Sequence, residues 1–89
     1  MRARRVDDNH RPIVEALEKI GCRVQSLAPL GRGAPDLLVC LGFRLKLMEV
    51  KNPEARGKLN PKQKKWHELW RQHVVVVETP EQAIAEMVR

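Results

Sequence analysis

Aromatic side chains are scarce in this chain of 89 residues, which has two Trp, one Phe and no Tyr. A platform for stacking unpaired bases is hard to assemble from so few rings. Cysteine is scarce too. Cys22 and Cys40 are too few for a disulfide framework and lack metal-ligand spacing, so a reduced, cytoplasmic setting is expected. The longest apolar runs, such as Leu37 to Leu41 and Val74 to Val77, fall far short of a membrane span. No charged segment followed by an apolar stretch opens the chain, so a signal peptide is not expected. Repeats and low-complexity tracts are missing as well. Acidic residues are outnumbered, 11 against 17 Lys and Arg, for a net charge of +6.

What remains is ordinary for a folded chain. Hydrophobic residues make up 43% of it, enough for one small core and one domain over residues 1–89, with residues 1–7 read as a basic, mobile tail. The charge points to a polyanionic partner, most simply nucleic acid. It is also clustered. Arg2, Arg4 and Arg5 stand at the start, and Arg56, Lys58, Lys62, Lys64, Lys65 and Arg71 share a stretch whose one acid is Glu68. A solvated face is the plain alternative. Binding along a duplex backbone needs no aromatic residues.

Periodicity predicts the elements. Ile13, Val14, Leu17 and Ile20 recur at helical spacing over Asp8 to Ile20, with Gly21 as the stop. Residues 23–29 read as a strand and Leu30 to Ala34 as a glycine-rich loop. Asp36 to Leu41 and Arg44 to Lys51 read as strands joined by Gly42-Phe43, a pair suited to a type II′ turn. Residues 52–59 form a polar loop. Asn60-Pro61 opens a helix running to about Gln72, with Trp66, Leu69 and Trp70 expected on its inner face. His73 to Glu78 is a valine-rich strand, and Thr79-Pro80-Glu81-Gln82 is a capping box starting a last helix to Val88. The order α-β-β-β-α-β-α predicts an α/β fold, a small mixed sheet flanked by helices.

Three residues carry the chemistry in this pattern. Glu49 and Lys51 lie two apart on a strand and share a face. With a two-residue turn at Gly42-Phe43, the hairpin mirrors Asp36 onto Glu49, and cross-strand Cβ atoms lie about 4.5–5.5 Å apart. Two carboxylates that close repel unless a positive group sits between them. A divalent cation is one answer and Lys51 a weaker one. Oxygen donors favour a hard ion, Mg²⁺ or Mn²⁺, and the Val50 carbonyl is a further candidate ligand. Such a set suits phosphodiester hydrolysis, which needs an activated water and neutralised phosphate charge. The alternative is a hairpin with surface charges. A one-residue slip in the turn would put the two carboxylates on opposite faces.

Gly33-Ala34-Pro35-Asp36 followed by Glu49-Val50-Lys51 resembles the signature of PD-(D/E)XK nucleases. The longer string, from Gly31 through Val39, then Met48 to Lys51, Lys58 to Gln63 and Trp66-His67, resembles the virus-type replication-repair nuclease (VRR-NUC) domain in its small stand-alone phage and prophage form. The resemblance implies a restriction-endonuclease-like core. It implies Mg²⁺ or Mn²⁺ held by Asp36, Glu49 and the Val50 carbonyl, with Lys51 as the catalytic lysine. It also implies a homodimer acting on branched DNA, as Holliday junction resolvases do, in the cytosol of a bacterium or infected host. Two-strand cutting by so small a subunit suits a two-fold pair.

Many relatives carry a glutamate on the first helix, pointing at the metal; the matching position here is Asn9. The helical wheel, about 100° per residue, sets Asn9 beside the Ile13-Leu17-Ile20 face. Asn9 is thus read either as an outer metal-shell residue or as a helix cap. Gln63 matches a polar family position near the site, yet Asn60 to Gln63 also has capping-box spacing. Lys58, Lys62, Lys64 and Lys65, near a helix start that itself attracts phosphate, are candidate DNA contacts, as is Arg32 in the glycine loop. Trp66 and Trp70 suit a core or a dimer interface better than base stacking. His10, His67 and His73 do not make a zinc set. Two other function classes stay open: a non-catalytic DNA-binding module on a nuclease-like fold, and an unrelated basic protein-interaction domain.

Overall fold

The computed structural model describes residues 9–52 and 58–89. The expected tail at 1–7, with Arg2, Arg4 and Arg5, and the basic residue Arg56 lie outside the described residues. The elements are α1 (His10–Lys19), β1 (Arg23–Ser26), β2 (Leu37–Leu41), β3 (Arg44–Val50), α2 (Pro61–Trp70), β4 (Val74–Val77) and α3 (Pro80–Val88), with a 3₁₀ turn at Ala28–Leu30. The expected order is therefore observed, and the fold is α/β.

The four strands form one mixed sheet in the order β1-β2-β3-β4. β1, β2 and β3 run antiparallel in succession, while β3 and β4 are parallel. Parallel neighbours need a crossover, and α2 lies in it. Gly42 adopts φ 60° while Phe43 stays out of the left-handed region, and Leu41 pairs with Arg44 across the two-residue turn. The register follows from that turn: Leu37 pairs with Met48 and Val39 with Lys46. Continued one residue back, it sets Asp36 against Glu49, as the sequence predicts.

Alternation along β2 and β3 gives the sheet two different faces. On one face Leu37, Val39, Met48, Val50 and Val77 join Ile13 and Leu17 of α1 and Ala83 and Met87 of α3 in a single buried cluster. Full burial of each large member contributes about 1.5–3 kcal/mol. Lys46, on this same face, reaches Glu86 of α3 at 3.3 Å. The opposite face carries Leu38, Leu45, Leu47 and Glu49, and α2 approaches it, with Trp70 lining a shallow cavity of about 320 Å³ beside Leu38, Leu45 and Leu47.

Several local expectations are corrected. Ile20 follows α1 as its C-cap, where Gly21 at φ 99° turns the chain out of the helix, and at 38% exposed it stays outside the buried cluster that takes Ile13 and Leu17. β1 stops at Ser26; Leu27 still donates to the Asp36 carbonyl at 2.7 Å, one step further along the same register, and Pro29 then lies in the 3₁₀ turn. The inner face of α2 is also different. Leu69 is 74% exposed and Trp70 47% exposed, and the buried residue of this helix is Gln63. Trp66 and Trp70 instead stack on each other, with ring centroids 4.7 Å apart and planes 13° from parallel. At α3, Thr79 Oγ1 accepts from Gln82 N–H as a cap, but the Gln82 side chain accepts from Glu78 N–H, one residue earlier than a capping box requires.

Candidate active site

The candidate residues meet where β2 begins, β3 ends and α2 starts. Asp36 and Glu49 are 9% and 2% exposed, both on the α2 side of the sheet. Asp36 Oδ2 accepts from the Val50 N–H at 2.8 Å, so its carboxylate lies across the strand from Glu49, against the main chain of the next residue. Pro35 and Ala34 are buried just before it. A proline there restricts the entry to the strand and thereby the direction of the Asp36 side chain.

Gln63 ties the cluster together. Its main-chain N–H donates to Asn60 Oδ1 at 2.9 Å, and its Oε1 accepts from Asn60 N–H at 3.0 Å, the two halves of a capping box. The same Oε1 accepts from the Lys51 ammonium at 3.0 Å, and Nε2 donates to Glu49 Oε2 at 3.1 Å. The two alternatives posed by the sequence are thus both realised in one side chain, which is 5% exposed. Lys51 Nζ also lies 3.8 Å from Glu49 Oε2. In a site this shielded, such pairs interact far more strongly than at the surface.

Asn9 precedes α1 but its side chain caps nothing. The helix-cap alternative is therefore corrected. Its Nδ2 donates to the Lys51 carbonyl at 2.7 Å and to the Glu78 carbonyl at 2.8 Å, fastening the start of α1 to the ends of β3 and β4. Those two carbonyls sit past the last paired residues of parallel strands, where the ladder no longer supplies donors.

The glycine loop abuts the start of α2. A Cβ on Gly33, whose φ is 84°, would fall 2.5 Å from the Lys62 carbonyl oxygen, so only glycine permits this approach. Between two glycines of positive φ, Arg32 itself takes φ 58°, a costly conformation for a side-chain-bearing residue. Arg32, Lys58, Lys62, Lys64 and Lys65 are all exposed, on the loop and first turns that border the cluster.

Among the described residues, no three or more His, Cys, Asp or Glu side chains group so as to hold a metal ion. The acidic donors gathered here are the pair Asp36 and Glu49, and a third oxygen would come from the main chain. One neighbour escaped sequence reasoning. His67, one turn along α2 from Gln63, has its pKa held below the ordinary value, first by burial and then by the charge of Lys51. Its i,i+4 relation to Gln63 was the available signal.

Compared with protein-family models, curated proteins and solved structures, the chain matches none. Among the described residues no helix is long and apolar enough to cross a membrane.

Proposed function

We propose that the chain is a metal-dependent endodeoxyribonuclease with a restriction-endonuclease-like core, hydrolysing phosphodiester bonds in DNA, preferentially branched DNA such as four-way junctions. The observation that supports this reading is the meeting of Asp36, Glu49 and Lys51 on one sheet face beneath Gln63. The donor set fits a hard cation, since the Asp36 and Glu49 carboxylates and the Val50 carbonyl are all oxygen ligands. Bound there, Mg²⁺ or Mn²⁺ supplies Lewis acidity toward a phosphate oxygen and lowers the pKa of a coordinated water.

In this reading the protein's own groups do the rest. Lys51 stabilises negative charge developing on the phosphate or orients the attacking water. Gln63 holds Lys51 and Glu49 in a fixed relation. Asn9 steadies the Lys51 main chain and stands in the outer shell of the site. Arg32, Lys58, Lys62, Lys64 and Lys65 contact backbone phosphates, aided by the positive end of α2. A homodimer supplies two such sites for two strands. The two free cysteines suit a reducing cytoplasm.

The test uses supercoiled plasmid and a synthetic four-way junction, each with Mg²⁺, Mn²⁺ or EDTA. Cutting is expected with either metal and lost in EDTA. Glu49→Ala is expected to lower the rate at least about a hundredfold, and Lys51→Ala to do the same while sparing DNA binding. Circular dichroism confirms that each variant is folded. A folded wild-type protein that shifts DNA in gels but never cuts it, under either metal, replaces the proposal with the non-catalytic DNA-binding module. A protein that does neither at low salt leaves the basic protein-interaction domain.

A further inference from the structure

α2 covers only part of its side of the sheet. Gln63 sets its start against Glu49, and Trp70 brings its end beside Leu47. Leu38, Cys40 and Leu45 share that face; Leu38 and Cys40 are half-buried and Leu45 is 61% exposed. An antiparallel sheet that faces water ordinarily turns polar side chains outward. Here β2 and β3 turn apolar ones outward. Two shallow cavities of about 310 and 320 Å³ share Leu38 and Leu45 and together form one trough. Its β1 end is walled by Arg23 and Gln25, which their pairing with Cys40 and Leu38 puts on this face. Its other end is walled by Trp70 and His73, which also border a third cavity, with Glu68 and Leu69.

The two rims carry opposite charge. Arg23 and Glu68 are both exposed, and among the described residues neither is in an ion pair. Glu68 is also the one acid in the basic stretch from Arg56 to Arg71. We propose that the trough is the contact surface for a second copy of this chain, with a two-fold axis passing between Leu38 and Leu45. In such a pair each rim meets the opposite rim of its mate, so Arg23 faces the partner's Glu68 and Glu68 faces the partner's Arg23. The apolar floor is of the order of the roughly 300–600 Å² that the largest patch on a monomer spans, and such patches are often functional. With its polar rims it approaches the about 800 Å² that each partner gives to a stable interface. A nucleic-acid strand is a poorer occupant, since the floor offers it no cation and Glu68 repels its phosphates. The contact leaves the candidate site open, because Gln63, Lys62, Lys64 and Lys65 stand toward the opposite end of α2. The proposed hydrolysis calls for two subunits without fixing where they meet; the contact at the trough needs no catalysis.

Sedimentation equilibrium of the full chain, without DNA or metal, tests this. Wild type is expected at twice the monomer mass at about 100 µM, and Leu45→Lys, checked for folding by circular dichroism, at the monomer mass. Glu68→Arg sets arginines against each other across both rims and is expected to raise the dimer Kd at least about tenfold; adding Arg23→Glu to that variant should recover most of the loss. A monomeric wild type overturns the proposal and leaves the trough to another partner. A dimer indifferent to Leu45→Lys or to Glu68→Arg overturns it too, as does a double variant no tighter than Glu68→Arg alone. Junction cleavage is read separately on the same proteins. A dimer with the expected responses that cuts no DNA ends the hydrolytic reading and upholds the contact; a monomer that cuts junctions does the reverse.

Discussion

Replacing Gln63 with alanine isolates the contacts that bind the catalytic candidates to α2. The main-chain bond to Asn60 Oδ1 survives, because the alanine keeps its N–H. Three side-chain bonds are lost. The bond from Asn60 N–H is neutral and its loss costs about 1 kcal/mol. Those to Glu49 and Lys51 involve charged groups, at about 1.5–3 kcal/mol each. Part of that loss is offset, since Lys51 and Glu49, 3.8 Å apart, can close on each other. The net expectation is about 3 kcal/mol, a large share of the roughly 5–15 kcal/mol that stabilises a domain of this kind. The melting temperature should fall by about 12–24 °C. Thermal and urea unfolding followed by circular dichroism measure it, with Lys64→Ala as an exposed control expected within about 0.5 kcal/mol of wild type. A loss of about 1 kcal/mol or less would mean that Gln63 serves only as a helix cap, and the reasoning about the site would fail.

Other perturbations probe different links. Gly31→Ala, strained at φ 61° and ψ −157° but with nothing within 4 Å, should cost about 1–3 kcal/mol; Gly33→Ala, at φ 84° and meeting the Lys62 carbonyl oxygen at 2.5 Å as well, should cost more. Equal losses in urea unfolding would contradict the close packing of loop and helix. Lys64→Ala should weaken DNA binding and flatten the log–log salt dependence by up to about one unit; an unchanged slope removes it from the phosphate contacts. The folded protein protonates His67 less readily than the unfolded chain, so stability from this residue is complete above its ordinary value of 6.5 and is lost as pH falls toward the depressed folded value. Urea midpoints should therefore decline just below pH 6.5, and His67→Gln should flatten that decline. The same slope in both proteins would show that His67 titrates normally.

Much of the architecture was legible because it is set by neighbours in the chain. Gly42-Phe43 dictates a two-residue turn, and the turn dictates a register that brings Asp36 to Glu49. Asn60-Pro61 and Thr79-Pro80 start helices with side chains and rings that act within one turn. Errors arose where distant partners intervene. Ile20 and Leu69 have the right apolar spacing, but spacing cannot say where a helix ends or how much of the sheet it covers. Asn9 looks like a cap and instead bonds to carbonyls 42 and 69 residues away.

What the chain determined unaided is the succession of elements, the hairpin register and the identity of the acidic pair with its lysine, since periodicity and turn chemistry operate over a few residues. Only the tertiary structure decided that Gln63 caps α2 and bonds Glu49 and Lys51 at once, and that Gly33 fits against Lys62. Those outcomes depend on how α2 is laid across the sheet, a placement made by packing between segments far apart in sequence, which no local pattern encodes.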